Sequence, residues 1–134
     1  MIRIFDILIS ILMLLIFLPI MVFISLLILI TDGSPIIYKQ SRVGYLGKQF
    51  MIFKFRTMSN VIFKDEKLRL MPLGKILRRT SLDELPQLIN VLKKDMSIVG
   101  PRPLPKNIEK KIKKNIKIKR RKILPGITGL SQIH

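Results

Sequence analysis

Ile7-Leu8-Ile9-Ser10-Ile11-Leu12-Met13-Leu14-Leu15-Ile16-Phe17-Leu18-Pro19-Ile20-Met21-Val22-Phe23-Ile24-Ser25-Leu26-Leu27-Ile28-Leu29-Ile30 runs for 24 residues without a charge. As a helix it reaches about 36 Å, enough for a hydrocarbon core of about 30 Å. It is long for a secretory signal and has no small-residue cleavage site. Pro19 stands at its centre, where proline removes one helix hydrogen bond and crowds the preceding turn. Two topologies follow: a spanning helix kinked at Pro19, or a break that returns the chain to the face it entered. Read alone, the residues favour simple spanning. Of the 25 Lys and Arg, only Arg3 precedes this stretch and the other 24 begin at Lys39, which places the downstream part in the cytoplasm.

What remains of the 134 residues is room for one small domain of roughly 100 residues. Its core is modest, and a membrane surface can support it. There is no Cys, which excludes disulfides, thiolate nucleophiles and Cys-based zinc sites. The single His is His134, which excludes a Ser-His-Asp arrangement. A net charge of +17 points to nucleic acid, anionic lipid or phosphorylated substrates. Aromatic residues are sparse after Lys39 and are not interleaved with the densest Lys run, so no stacking platform and no nucleic-acid partner is expected.

Asp32-Gly33-Ser34-Pro35 ends the apolar segment in a turn. Ile36 to Gln40 and Gln49 to Phe55 read as two strands joined through Gly44-Tyr45-Leu46-Gly47, where glycine supplies a positive φ. Phe50, Ile52 and Lys54 share one face of the second strand. Lys54 and Arg56 emerge at its end, either as phosphate contacts or as a solvated strand end. Residues 57 to 72 form a polar connection with a helical turn around Asp65 to Arg69. Leu73, Ile76 and Leu77 mark a short helix carrying Lys75, Arg78 and Arg79. Leu85, Leu88, Ile89 and Leu92 mark another, from about Asp83 to Lys93. Starting it at Leu82 or Asp83 keeps Pro86 in the first turn and sets Asp83 and Glu84 beside free backbone donors.

Two readings of that acidic pair stay open. Asp83 can be an N-cap and Glu84 a favourable first-turn acid. Alternatively, a carboxylate among cations at a helix N-terminus can hold Mg²⁺ or attack phosphorus. Arg78, Arg79, Lys54, Arg56 and Arg102 are the cations available to offset anion repulsion. In Gly100-Pro101-Arg102-Pro103 the prolines fix the backbone around Arg102 and Gly100 allows close main-chain approach. A rigid linker into the next helix fits those residues equally.

Several motifs occur in order: Lys54-Phe55-Arg56-Thr57-Met58, Leu77 to Gln87, Asn90-Val91-Leu92, Asp95 to Pro103, and Pro125-Gly126-Ile127-Thr128-Gly129-Leu130-Ser131-Gln132. With them the chain closely resembles the bacterial monotopic phosphoglycosyl transferases, also called bacterial sugar transferases, from Arg3 to the last residue. The resemblance implies transfer of a phosphosugar from a UDP-sugar to polyprenyl phosphate, usually undecaprenyl phosphate, with release of UMP. It makes Asp83 the nucleophile and a Mg²⁺ ligand, with Glu84 completing a catalytic dyad. Arg78 and Arg102 fall in the phosphate-binding surroundings, beside Lys54 and Arg56. It also implies a re-entrant helix broken at Pro19, which reverses the preference for spanning. The fold implied is α+β: residues 1–31 as the membrane segment, then a short hairpin and a small helical catalytic domain over residues 32–134. The catalytic domain is expected on the cytoplasmic face of the bacterial inner membrane, with membrane lipids as partners and a homo-oligomer left open.

The chain departs from that pattern in three places. Leu18 precedes Pro19 where Ser is usual, Leu124 precedes Pro-Gly where Lys or Arg is common, and the sequence stops at His134 where relatives continue. A truncated inactive member and a non-enzymatic basic membrane-binding module are therefore the competing classes. Lys106 to Lys122 holds ten basic residues and one acid, Glu109, with Ile108, Ile112 and Ile116 at helical spacing. One helix lying in an anionic lipid interface, or packing its Ile stripe on the core, fits this pattern.

Overall fold

The computed structural model describes residues 2–59 and 66–129. The elements run α1 (Ile2–Asp32), β1 (Ile37–Val43), a 3-10 turn (Tyr45–Gly47), β2 (Gln49–Phe55), α2 (Glu66–Arg69) and α3 (Pro72–Thr80). A second 3-10 turn (Leu82–Glu84) follows, then α4 (Gln87–Leu92), β3 (Ser97–Val99), α5 (Lys106–Glu109), α6 (Lys114–Arg121) and β4 (Gly126–Thr128). This is the expected α+β mixture of one long apolar helix, a hairpin and short helices. Asp65, the start of one expected turn, and Leu130 to Gln132 and His134 lie outside the described residues.

Helix α1 passes through Pro19 without an interruption in its assignment. Proline costs an interior helix one hydrogen bond and a local clash, and long apolar runs on both sides keep the element whole. Ile24 and Ile28 are buried against Phe55 and Leu77, forming one half of the core. Each such side chain stabilises the fold by about 1.5–3 kcal/mol. Most of the remaining apolar surface of α1 stays exposed, including Phe5, Leu8, Leu12, Leu15, Phe23, Leu26 and Ile30. A water-soluble surface rarely carries so large a contiguous apolar patch, and the helix is long and apolar enough to cross a membrane.

Both ends of α1 grip the same globular unit. Near the N-terminus, Arg3 donates to the carbonyls of Met96 (3.0 Å) and Val91. Buried Asp6 accepts from the Ser97 hydroxyl at 2.6 Å and from the Ile98 amide at 3.3 Å. At the C-terminus the Arg56 guanidinium donates to the carbonyls of Asp32 and Gly33 and pairs with the Asp32 carboxylate at 3.1 Å.

β1 and β2 form an antiparallel hairpin in which Tyr38 faces Lys54 and Arg42 faces Phe50. Its tip needs positive φ at Gly47 (77°) and Leu46 (55°), whereas Gly44 has a negative φ (−117°). Helix α4 lies between α1 and β2. It therefore buries Leu88 and Val91 while Ile89, expected on the apolar face, is exposed. Asn90 joins α4 to the strand: its Oδ1 accepts from the Phe53 amide and its Nδ2 donates to the Met51 carbonyl.

Two further features depart from the sequence reading. β3 and β4 form a parallel pair, Ser97 with Gly126 and Val99 with Thr128, where no strand was expected. A Cβ on Gly126 would lie 2.0 Å from the Gly100 nitrogen, so the two backbones meet only because both residues lack side chains. The single basic helix expected over Lys106 to Lys122 is two helices. Glu109 bonds Arg121 at 2.7 Å, twelve residues away, whereas one continuous helix would hold them about 18 Å apart. The like-charged run Lys110-Lys111-Ile112-Lys113-Lys114 at the break opposes continuation. Ile108 and Ile116 remain nearly half exposed, so the Ile stripe does not pack on the core.

Candidate functional site

A cavity of about 740 Å³ opens between the hairpin and the segment that carries the acidic pair. That size accommodates a sugar nucleotide-sized ligand. Tyr38, Gln40 and Arg42 line one wall from the same face of β1, since side chains alternate along a strand. None of the three was singled out from sequence, although their spacing of two along a strand is the signal that groups them. Lys54 enters from β2 opposite Tyr38.

The opposite wall depends on how α3 approaches the end of β2. Gly74 lies so close to Thr57 that a Cβ would come within 2.1 Å of its carbonyl oxygen. This contact sets Arg78 beside Thr57, and Arg78 Nε donates to Thr57 Oγ1 at 2.9 Å. Ser81 then takes a left-handed conformation (φ 59°) that closes α3 and opens the 3-10 turn. Asp83 and Glu84 sit in that turn rather than on the first turn of the following helix, which begins at Gln87 after Pro86. A proline lacks the N–H an interior helical position requires, so α4 starts just beyond it.

The two acids have different surroundings. Glu84 Oε1 accepts from Lys54 Nζ at 2.9 Å and lies 3.6 Å from Arg102 Nη2. Asp83 is 7% exposed and makes no ion pair within 4.0 Å among the described residues. Burial pushes its carboxyl above the ordinary aspartate value of 3.8; Lys54 and Arg78 pull the other way, while Glu84 adds to the rise. The pair thus separates into an ion-paired acid and a buried, unpaired one.

Of the sequence candidates, the structure brings Asp83, Glu84, Lys54, Arg78 and Arg102 to one cavity. Arg56 also borders it, yet its guanidinium is committed to α1. It is 4% exposed, neither a solvated strand end nor an open phosphate contact. Pro19 stands apart from the cavity, within α1. Arg102 is braced from behind, because Arg120 Nη2 donates to its carbonyl. The amide of Val43 bonds the Leu104 carbonyl at 3.0 Å, tying β1 to the same segment.

Among the described residues no cluster of three or more His, Asp or Glu forms an all-protein metal cage. A Mg²⁺ ion takes one or two carboxylates and fills its shell with phosphate oxygens and water, and Asp83 is the unpaired carboxylate of the cavity that could serve as one such ligand.

Comparison with known proteins places these features in a family. The model of the family described as "Bacterial sugar transferase" matches residues 1–134. The uncharacterized sugar transferase EpsL of Bacillus subtilis (strain 168) is 40% identical over 144 residues, covering 98% of this chain and 67% of that protein. The UDP-glucose:undecaprenyl-phosphate glucose-1-phosphate transferase of Klebsiella pneumoniae is 41% identical over 142 residues, 98% of this chain and 30% of that protein. The undecaprenyl-phosphate galactose phosphotransferase of Salmonella typhimurium is 44% identical over 124 residues, 76% of this chain and 26% of that protein. The chain thus spans about two thirds of the first relative and less than a third of the other two. By the match over residues 1–134, the chain belongs to the bacterial sugar transferase family.

Proposed function

We propose that the chain transfers a phosphosugar from a UDP-sugar to polyprenyl phosphate, undecaprenyl phosphate in a bacterium, releasing UMP and initiating glycan assembly. The observation that carries this reading is Asp83: a buried carboxylate without an ion pair among the described residues, on the wall of a cavity rich in cations. Relatives named for glucose and galactose transfer support the reaction class without assigning a sugar.

In the first step one Asp83 carboxylate oxygen attacks the β-phosphorus of the donor. The bond from that phosphorus to the bridging oxygen breaks, and UMP leaves with the oxygen. An acyl phosphate then joins Asp83 to the sugar phosphate. In the second step an oxygen of the lipid phosphate attacks the same phosphorus and the bond to Asp83 breaks. The carboxylate is restored and polyprenyl diphosphate sugar departs. Each attack brings an anion to a phosphate anion, so fixed cations must offset the repulsion. Arg78 and Lys54 flank Asp83 for this purpose, and Glu84 holds Lys54 and Arg102 in place. Mg²⁺ bound at Asp83 would withdraw further charge from the diphosphate.

The two grips on α1 support a re-entrant segment. Arg3 and Asp6 at one end, and Asp32 at the other, bind the same unit that carries the site. A UDP-sugar is cytoplasmic, so both ends belong on the cytoplasmic face of the inner membrane, with the exposed face of α1 in lipid. Pro19 lies inside the continuous helix α1, and its missing N–H and ring crowding make it the place where the segment would bend in lipid.

The reading is tested by following UMP release from a panel of UDP-sugars with Mg²⁺, with and without polyprenyl phosphate. One UDP-sugar should give a burst of about one UMP per protein without acceptor and continuous release with it. Release only when both substrates are present would remove the covalent step. No release from any donor would remove the transferase reading.

A further inference from the structure

Arg42 is a residue of the cavity wall that the reaction as drawn does not use. Its Nη2 donates to Gln40 Oε1 and its Nη1 reaches the Pro103 carbonyl at 3.4 Å, while its Nε is buried with no hydrogen-bond partner. Buried polar atoms are normally satisfied, and this guanidinium, on a residue that lines the cavity, keeps one N–H without an acceptor. No carboxylate supplies one. Among the described residues the ion pairs of the site are Lys54 and Arg102 with Glu84, and Arg56 with Asp32; Arg42 has none. The cavity is bordered by Arg42, Lys54, Arg56, Arg69, Arg78 and Arg102, against Asp83 and Glu84. With Arg56 neutralised by Asp32, cations remain in excess.

Arg42 is also held beside a like charge. Burial lowers the proton affinity of its guanidinium and Arg102 lowers it further, only partly countered by Tyr38 and Glu84. The backbone enforces this proximity: Val43 is bonded to Leu104, and Arg42 itself reaches the carbonyl next to Arg102. Two arginines fastened together on the wall of an opening, with Arg42 in no ion pair among the described residues, make a site that an anion completes. A planar guanidinium matches phosphate oxygens two at a time.

We propose that Arg42 is a phosphate-binding residue that works with Arg102, with Gln40 as the positioning residue that orients its guanidinium. The ligand group is a phosphate of one of the two substrates. This rests on the transferase reading for the identity of those substrates, and on the geometry alone for the anion site.

The test uses the full chain in lipid nanodiscs, as Arg42→Gln and as Arg42→Lys, which keeps the charge and loses the fork. UMP affinity is measured by titration calorimetry with uridine as the phosphate-free control. KM is measured separately for the UDP-sugar and for polyprenyl phosphate. Arg42→Gln should weaken UMP binding by about 10-fold or more and Arg42→Lys by less, with uridine unchanged and donor KM rising in step. Unchanged UMP affinity with a raised KM for polyprenyl phosphate would place the acceptor's phosphate on Arg42, still supporting a phosphate contact. UMP affinity and both KM values within about twofold of the parent in both variants would overturn it. UMP binding that depends on Arg42 in a chain that releases no UMP would keep the anion site and remove the transferase reading. Turnover indifferent to both variants would do the reverse.

Discussion

At the scale of single residues, Asp83 and Glu84 differ because, among the described residues, only Glu84 is neutralised by ion pairs. Asp83 carries the cost of being buried as an anion. Its folded proton affinity is raised by burial, so the native state holds that proton more tightly than the unfolded chain does. Stability contributed by Asp83 is therefore greatest below the ordinary value of 3.8 and falls as pH rises through the folded value. Asp83→Asn should melt at a higher temperature than the parent at pH 7, with the gap closing in acid, while phosphosugar transfer falls by about 10³-fold or more. Equal melting temperatures at every pH would show that the burial carries no electrostatic cost. The cations also separate by role. Arg102→Ala should cut turnover by about 10²-fold with little loss of stability, as removing one preorganised contact does. Arg56→Ala should instead destabilise by about 3 kcal/mol or more, because it strands the Asp32 carboxylate and the carbonyls of Asp32 and Gly33. Denaturant melts alongside turnover distinguish the two. The acidic pair was legible in the sequence as two of only eight acids. The commitment of Arg56 was not, because its partner lies 24 residues back and is reached only once the hairpin folds.

At the scale of elements, the site is assembled by short pieces whose ends matter more than their lengths. The hairpin was readable from two apolar runs around a glycine-containing turn, and α3 from its apolar spacing. The start of α4 was not, because Pro86 fits the first turn of a longer helix as well as the residue before a shorter one. Only the left-handed Ser81, which ends α3, moves the acidic pair into a separate turn. β3 and β4 escaped notice because three-residue strands show no alternation; their signal is the pair of glycines, Gly100 and Gly126, where the backbones touch. The basic stretch divides because Glu109 must fold back to Arg121. Gly74 tests the element scale most sharply. Gly74→Ala places a methyl group against the Thr57 backbone, which cannot rotate away as a side chain could. It should cost about 1–3 kcal/mol and lower turnover by displacing Arg78 from Thr57. A variant with parent stability and parent turnover would show that α3 can shift freely.

At the scale of the whole molecule, α1 is membrane anchor and core element together. Ile24 and Ile28 complete the core on which α3 and β2 pack, so the apolar helix helps position the turn that carries Asp83 and Glu84. The length and apolarity of α1 were plain in the sequence, whereas its two grips were not: Arg3 and Asp6 bind residues about 90 positions away. A chain without native Cys allows a clean topology test. Single Cys residues at exposed Ile2 and exposed Lys39 should both be shielded from impermeant thiol reagents in intact cells and both react after lysis. Reaction at Ile2 alone in intact cells would establish a spanning helix. The most direct measurement concerns the covalent bond. The full chain is incubated with Mg²⁺ and a UDP-sugar carrying ³²P in the β-phosphate, without polyprenyl phosphate, and its peptides are then mapped. The prediction is label on Asp83 alone, lost on addition of polyprenyl phosphate and absent from Asp83→Asn. Label on another residue, or lipid product formed by Asp83→Asn at the parent rate, would contradict it.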